Sequence, residues 1–458
     1  MDRQHTLFTG CRIVDADIDI ARGWILVTNG LITGFGYGDP NSDIVTLADT
    51  VTDATGLIAM PGVIDTHVHF REPGLTKKAT IASESRAAAA GGVTTFFDMP
   101  NTIPPTTTTE AWEDKMKRAK ETSLVNYAFF VAATPGNIDW LASTDFTDRP
   151  GVKLFMGSTT GASAATTGQW LDDLFSRVKA LIAVHAEDDS IIAYKQQEAI
   201  EKYGSADNVP VDAHPAIRSR QACVESTKLI ISTALRHNHR LHVCHISTAD
   251  ELEFFSSGTD VSQKTITAET CPQYVTFDSR DYSSRGTRVK CNPSIKDTTD
   301  REALETALAT GKIDTIATDH APHLLSDKTG GALKAASGMP GVQFALPIML
   351  EKTLSAKLTL QSVSRLMSGN PAKIFGIDRR GFIRNGYHAD IVFVKALDRP
   401  HTITDSDVKS SCGWTPYSGI ELSYAVASTW VNGVCVYAEN TFQELKTRAA
   451  MPVKFKGV

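Results

Sequence analysis

The sequence lacks long hydrophobic runs and clusters of basic residues, and these absences argue against several classes of protein. No apolar stretch approaches the ~20 residues that a membrane-spanning helix needs. Residues 1–5 do not start an apolar segment of the kind found in signal peptides. The net charge is -6 and no Lys/Arg run is present. We therefore expect neither a nucleic acid nor a membrane as a partner.

Cysteine is also scarce. The chain of 458 residues has seven cysteines and no Cys-x-x-Cys pair, a pattern that does not predict a disulfide framework and favours a reducing, cytoplasmic location. Hydrophobic residues make up 42% and charged residues 21%, as in ordinary globular proteins. A chain of this length can bury a large core, so we expect one large domain with a smaller one beside it.

Both ends of the chain carry strand and turn signals. Asn29-Gly30 near the start and Asn432-Gly433 near the end lie between strand-like segments and predict hairpin turns. The glycines at positions 34, 36 and 38 neither complete a nucleotide-binding fingerprint nor open a helix, which favours simple turns. We predict one small β-sandwich domain built from both termini, residues 1–55 and 379–458, with a larger domain of residues 56–378 inserted between them.

The inserted segment alternates between strand and helix patterns. Strand-like runs lie at 57–64, 94–98, 126–132, 152–155, 181–184, 241–244, 265–268 and 315–317, and helical patterns at 78–90, 110–121 and 218–236. Repeated β-then-α units predict an α/β fold with a parallel sheet, and a closed (β/α)8 barrel of the TIM type fits the length best.

Residues able to bind metals recur at the ends of the predicted strands. His67 and His69 are two residues apart, so their side chains point to the same side of a strand. Alone, this pair fits equally well two polar residues bonded to carbonyls or water. Lys153 lies within an apolar strand, where an unpaired lysine is costly to bury. The strands of a barrel end on one face, where active sites are built. Three more residues able to bind metals follow predicted strands: His185, His245 and Asp319. The joint pattern predicts a metal site.

This order of residues resembles the amidohydrolase superfamily with a two-metal centre, over nearly the whole chain. Local motifs narrow the resemblance to the dihydroorotase family, and they are 69–74 (HFREPG), 98–102 (DMPNT), 184–187 (VHAE), 245–247 (HIS), 292–293 (NP) and 319–323 (DHAPH). Two positions depart from the commoner bacterial pattern. Many relatives carry an aspartate where Lys153 stands, and Ser294 replaces a second proline after Pro293. Neither departure removes a ligand.

The resemblance implies two zinc ions and a carboxylated lysine. A neutral amine cannot bridge two cations, but Lys153 carboxylated by CO2 offers two oxygens. Metals lower the pKa of bound water from 15.7 to about 7, and Asp319 would carry the proton to the departing nitrogen as the catalytic acid–base. The implied ligands are His67 and His69 for one ion, His185 and His245 for the other, with Lys153 as the bridge and Asp319 completing the site.

The resemblance also implies a binding site for a substrate carboxylate. The planar fork of Arg71 suits a carboxylate, and dihydroorotate carries one on its ring, whereas hydantoins and dihydropyrimidines need not. The alternatives are a surface salt bridge for Arg71, a turn former for Asn101 and an ordinary loop glycine for Gly338. The implied contacts are Arg71, Asn101 and His323 to the carboxylate, Asn292 to the ring, and backbone groups of Ser337 and Gly338.

The implied activity is interconversion of dihydroorotate and N-carbamoyl-L-aspartate in pyrimidine biosynthesis. We expect a small-molecule substrate, a homodimer, and aspartate transcarbamoylase as a candidate partner enzyme. An allantoinase or hydantoinase would use the same metal core, although Arg71 beside the metal histidines argues against both. A non-catalytic relative that serves only as an assembly partner is expected to have lost metal ligands, and here all of them are present.

Overall fold

The computed structural model describes residues 4–157, 168–258, 260–444 and 448–456. Within these ranges the strands are β1 (His5–Val14), β2 (Asp19–Thr28), β3 (Leu31–Tyr37), β4 (Thr50–Asp53), β5 (Leu57–Pro61), β6 (Val63–Val68), β7 (Val93–Asp98), β8 (Asn126–Phe129), β9 (Val131–Ala132), β10 (Val152–Phe155), β11 (Ile182–His185), β12 (Leu241–Val243), β13 (Ile266–Thr270), β14 (Thr315–Ile316), β15 (Ile391–Thr402), β16 (Glu421–Val431), β17 (Val434–Ala438) and β18 (Thr441–Phe442). The α-helices are α1 (Ser42–Leu47), α2 (Ile81–Ala90), α3 (Thr109–Thr122), α4 (Ile138–Ser143), α5 (Gln169–Arg177), α6 (Asp189–Tyr203), α7 (His214–Ile217), α8 (Arg220–Arg236), α9 (Asp281–Arg285), α10 (Thr298–Thr310), α11 (Ala345–Leu354), α12 (Leu360–Ser364) and α13 (Asn370–Ile374). No helix in the described ranges is long and apolar enough to cross a bilayer.

The predicted helices at 78–90, 110–121 and 218–236 correspond to α2, α3 and α8. Each begins after a hydroxyl side chain that accepts a hydrogen bond from a backbone N–H of the first turn. These N-caps are Thr80, Thr108 and Ser219. A capped first turn satisfies one of the N–H groups that a helix start leaves without an intrahelical partner.

The middle of the chain forms a closed parallel barrel. Strands β9 to β14 pair in chain order, as do β6, β7 and β8, and β8 and β9 are two parts of one strand interrupted at Phe130. A parallel bridge between Val68 and His320 closes the ring. Every residue of β7, β10 and β11 is buried, as expected for parallel strands covered on both faces. The predicted (β/α)8 barrel is confirmed.

Both ends of the chain contribute to a second, nine-stranded sheet, as predicted. Its order is β18-β17-β16-β15-β5-β1-β2-β3, with β4 beside β1. The predicted turns join β2 to β3 and β16 to β17, and Asn29, Gly30, Asn432 and Gly433 all have positive φ. A Cβ on Gly30 would lie 2.6 Å from the carbonyl oxygen of Asn432, so the two turns touch where only glycine fits. The domain limits at 55/56 and 378/379 stay predictions.

One predicted strand is shared between the two sheets. The apolar run 57–64 predicts a single strand, but β5 ends at Pro61 and β6 begins at Val63. Strand β5 pairs with β15 and β1, whereas β6 pairs with β7 in the barrel. Between them, the Gly62 N–H donates to the carbonyl oxygen of Asp390 at 2.9 Å. Apolar character cannot reveal this break, because both parts of the run are largely shielded from water.

Candidate metal and substrate site

The predicted metal and substrate residues converge at the carboxyl ends of the barrel strands. Strand β6 leads into the two histidines of the His-x-His pair, β10 carries the lysine, and β11, β12 and β14 end at or just before the remaining ligands. A single pocket brings together His67, His69, Arg71, Asn101, Lys153, His185, His245, Asn292, Asp319, Ser337 and Gly338. His323 lies directly behind Arg71.

His67 and His69 each point one ring nitrogen at the same carboxylate. Their Nε2 atoms lie 3.4 Å and 3.0 Å from Oδ1 of Asp319. Their Nδ1 atoms lie 2.8 Å from Oε1 of Glu269 and 2.8 Å from Oδ1 of Asn101, respectively. These outer partners set the orientation and tautomer of each ring, as the partners of metal-binding histidines do.

The charges in this half of the site favour a cation. Burial alone raises the pKa of Asp319, but His67 and His69 lower it below its usual value, so the carboxylate is ionised. Burial and Lys153 lower the pKa of His67, yet the carboxylates of Asp319 and Glu269 outweigh them and raise it to about 10. A proton on His67 therefore balances the negative charge of these carboxylates. A bound metal ion would supply this positive charge in place of the proton.

His185 and His245 form the other half of the site. Nδ1 of His185 lies 2.9 Å from Nε2 of His245, and burial lowers the pKa of both rings. Nε2 of His185 lies 3.0 Å from Glu187, which is itself paired with Arg218 at 2.6 Å. Two neutral imidazoles with facing nitrogens are in the state that metal binding requires.

Lys153 is fully buried between these halves. Its Nζ donates to Sγ of Cys244 at 3.0 Å, and no carboxylate within the described ranges lies within 4.0 Å of it. A buried ammonium without an anionic partner is strongly disfavoured, whereas a neutral amine can react with CO2. The surroundings of Lys153 thus fit the predicted carbamate.

Three residues of this site have a strained backbone. Asp319, His245 and Arg71 have φ of 47°, 42° and 69°, in the left-handed region that side chains other than glycine rarely adopt. Thr318 helps hold the first of these positions, because its N–H and hydroxyl donate to the carboxylate of Asp65 at 3.1 Å and 2.6 Å. Such conformations persist where surrounding contacts determine them, often at functional sites.

The donor atoms at the first half of the site fit a metal ion. One ligand atom from each of His67, His69 and Asp319 lies within 4.8 Å of the others. His185 and His245 add two more ring nitrogens, and nitrogen and oxygen donors in this combination suit zinc. The described residues therefore include a group able to hold a metal ion at the first half of the site and two further ring nitrogens at the second.

Arg71 is buried rather than exposed on the surface. Only 3% of it is accessible, and burial lowers its pKa to about 10 although Asp319 and other acids raise it. Its Nε donates to the carbonyl oxygen of Pro322 at 3.0 Å. No carboxylate lies within 4.0 Å of the guanidinium in the part of the chain that the structure describes. The alternative of a surface salt bridge therefore does not hold.

His323 lies between Arg71 and the segment that carries Ser337. Its Nδ1 is 3.0 Å from Nζ of Lys78, and its Nε2 is 3.0 Å from the carbonyl oxygen of Ser337 and 3.1 Å from Nη2 of Arg71. Burial lowers the pKa of His323, and the positive charges of Arg71 and Lys78 lower it further. Lys78 and Ser337 assign a neutral ring with its proton on Nε2, accepting from Lys78 and donating to Ser337, so that Nη2 of Arg71 contacts this nitrogen without a hydrogen bond.

Asn101 and Asn292 are held by neighbours that sequence reasoning did not identify. Asn101 accepts from His69, so it contacts a predicted ligand as well as lining the pocket. The hydrogen-bond network orients the Asn292 amide so that its nitrogen donates to Oγ of Ser337 at 3.1 Å and its oxygen accepts from Arg218 at 3.2 Å. Asn292 therefore links Ser337 in the pocket wall to Arg218, which pairs with Glu187 beside His185.

Sequence reasoning missed three buried residues that support the site: Glu269, Glu187 and Lys290. Glu269 follows the predicted strand 265–268 and thus reaches the same barrel edge as the histidines, a signal that was available. Glu187 stands two residues after His185, the spacing that places side chains on one side of a strand. Lys290 carries no recognisable sequence signal.

We expect Glu187→Gln to weaken metal binding about tenfold. The substitution keeps the shape but removes the charge that orients His185, and loss of such outer partners costs 10–100-fold in affinity. Competition with a chromophoric chelator measures the change, with the exposed Glu201→Gln as control. Wild-type affinity in Glu187→Gln would show that this carboxylate does not support a metal ligand.

Comparison with known proteins shows that this chain is similar to amidohydrolases. A sequence model of the amidohydrolase family matches residues 58–436. A dihydroorotase of Methanosarcina acetivorans is 33% identical over 87% of this chain and 85% of that protein. An allantoinase of Bacillus velezensis is 31% identical over 91% of each. The solved L-hydantoinase (dihydropyrimidinase) from Arthrobacter aurescens has a TM-score of 0.88 and 26% identity, covering 98% of this chain and 99% of its own.

Proposed function

Because the chain belongs to the amidohydrolase family, we propose that it hydrolyses a cyclic amide and that its substrate is dihydroorotate. The reaction interconverts dihydroorotate plus water with N-carbamoyl-L-aspartate, a step of pyrimidine biosynthesis. The observation that carries this choice is Arg71, buried at the pocket without a carboxylate partner within the described ranges. Such a cation is stabilised by an anionic ligand.

Two buried lysines contact the segment that carries Ser337 and Gly338. Lys290 and Lys328 are 4% and 3% exposed, and neither has a carboxylate within 4.0 Å among the described residues. Burial lowers their pKa values to about 8 and about 7. Dihydroorotate carries one carboxylate and N-carbamoyl-L-aspartate two, whereas allantoin and hydantoin carry none. The buried positive charge of Arg71 therefore favours the first pair of ligands.

We propose that two zinc ions complete the site. His67 and His69 would hold one ion and His185 and His245 the other, bridged by carboxylated Lys153 and joined by Asp319. When bound, such ions activate water and polarise a carbonyl group. The convergence of these side chains supports the assignment.

The other steps are assigned to side chains of the chain itself. Asp319 is ionised and buried, so it can accept the proton of the attacking water and deliver it to the ring nitrogen as the amide bond breaks. Arg71 pairs with the substrate carboxylate, with Asn101 and His323 beside it. Asn292 orients the ring.

Activity with dihydroorotate, compared with allantoin and hydantoin, tests the proposal directly. For the purified, zinc-loaded protein, we expect kcat/KM for dihydroorotate to exceed that for either uncharged ring by at least a hundredfold, about 2.7 kcal/mol. This is within the 1.5–3 kcal/mol expected for one charged hydrogen bond. A preference for allantoin would identify an allantoinase instead, in line with the similarity to that enzyme.

Three further expectations rest on the sequence and the resemblance alone. They are a homodimer, association with aspartate transcarbamoylase, and a cytoplasmic location. Light scattering of the purified protein alone tests for the homodimer. The same measurement on a mixture with aspartate transcarbamoylase tests for the association.

A further inference from the structure

The hydroxyl group of Ser337 is surrounded by donors. Nζ of Lys290 donates to Oγ at 3.0 Å, and the amide nitrogen of Asn292 donates to the same atom at 3.1 Å. A serine hydroxyl has two acceptor lone pairs and one proton. Both lone pairs are therefore used within the protein, and the proton is left for another acceptor. Ser337 lines the pocket that also contains Arg71 and Asp319.

We propose that Ser337 is a hydrogen-bond donor to an oxygen of the bound substrate and that Lys290 is the positioning residue that makes it one. This inference rests on the proposed function only in that a substrate must occupy the pocket. An ammonium donating to Oγ also polarises the hydroxyl, so its proton binds a carboxylate or carbonyl oxygen more strongly.

The backbone on both sides of Ser337 is held by a second lysine. Nζ of Lys328 donates to the carbonyl oxygens of Ala336 at 2.7 Å, Gly338 at 2.8 Å and Lys290 at 3.0 Å. These bonds use all three N–H donors of an ammonium group. The Gly338 N–H donates back to the carbonyl oxygen of Lys290 at 2.9 Å.

This arrangement separates two roles. Lys328 holds the peptide of the segment in place through backbone carbonyl oxygens rather than through the pocket-facing hydroxyl. Lys290 touches the hydroxyl itself, and it also donates to the carbonyl oxygen of Ala335. The carbonyl oxygen of Ser337 accepts from His323, which further limits rotation of this residue. Contacts to the hydroxyl and to the backbone therefore both restrict the orientation of Ser337.

A double-mutant cycle tests the pair. Ser337→Ala and Lys290→Met are each expected to raise KM about tenfold with kcat nearly unchanged, because the bond is made in both the bound state and the transition state. In the double variant KM should rise no further than in Ser337→Ala alone, because Lys290 acts through the hydroxyl. Lys312→Met is the control, since it removes a partly buried lysine that donates to the carbonyl oxygen of Leu252.

The possible results are separable. A wild-type KM in Ser337→Ala would overturn the inference, since the hydroxyl then binds no substrate oxygen. A hundredfold increase of KM in the double variant would overturn the role of Lys290, because the effects of independent substitutions multiply. If Lys290→Met does not fold, Ser337→Ala alone decides whether the hydroxyl binds substrate. All ratios are taken on the substrate that the wild type turns over best, so a preference for allantoin rejects the proposed function without deciding this inference.

Discussion

Lys153→Ala is expected to lose both bound metal and activity. If the carbamate bridges the two ions, its removal takes away the anion between them, an effect worth several kcal/mol, on the order of a thousandfold in rate. The wild type should contain close to two zinc ions per chain and the variant clearly fewer. Elemental analysis and steady-state kinetics measure the two effects together.

Short carboxylates provide the control for this variant. Acetate or propionate can enter the space left by the side chain and supply two oxygens, so they should partly restore activity to Lys153→Ala. They should do nothing for the wild type or for Lys312→Met. Full activity and two bound ions in Lys153→Ala without added carboxylate would rule out the bridge. A wild-type crystal that is active, holds two metals and shows a bare amine would do the same.

Arg71→Ala is expected to lower kcat/KM for dihydroorotate by tenfold to several hundredfold. A paired hydrogen bond to a charged group contributes roughly 1.5–3 kcal/mol, and the substrate carboxylate would be left unpaired in a largely closed pocket. Arg71→Lys keeps the charge but loses the planar fork, so it should recover only part of the loss. Zinc content should remain unchanged, because the contacts of Arg71 are with Pro322 and His323 rather than with the predicted ligands.

A matched control separates this effect from a general change of charge. Arg22 lies in an exposed ion pair with Asp39, and exposed pairs contribute little, so Arg22→Ala should behave as wild type. Wild-type turnover of dihydroorotate by Arg71→Ala would disprove the substrate assignment while leaving the metal centre untouched. Reduced zinc in Arg71→Ala would instead show that the arginine supports the ligands.

Much of the barrel was predictable from the sequence because its strands are buried on both faces. Such strands read as short apolar runs, and the polar residue that ends each run marks the active face. His185 and His245 were located in this way. The pairing of a buried charged support with its ligand was not predictable where the two lie far apart in the chain. His67 and Glu269, for example, are separated by 202 residues, and no local pattern reports such a pair.

The sequence alone determined the order of strands and helices, the two hairpin turns and the residues able to bind metals, since these depend on local periodicity and residue chemistry. Tertiary structure alone decided that the run 57–64 breaks at Gly62 between two sheets. It also decided that Arg71 is buried without an acid partner within the described ranges and that Lys290 and Asn292 both donate to Ser337. Burial and hydrogen-bond direction depend on which distant segments meet, so only the folded chain determines them.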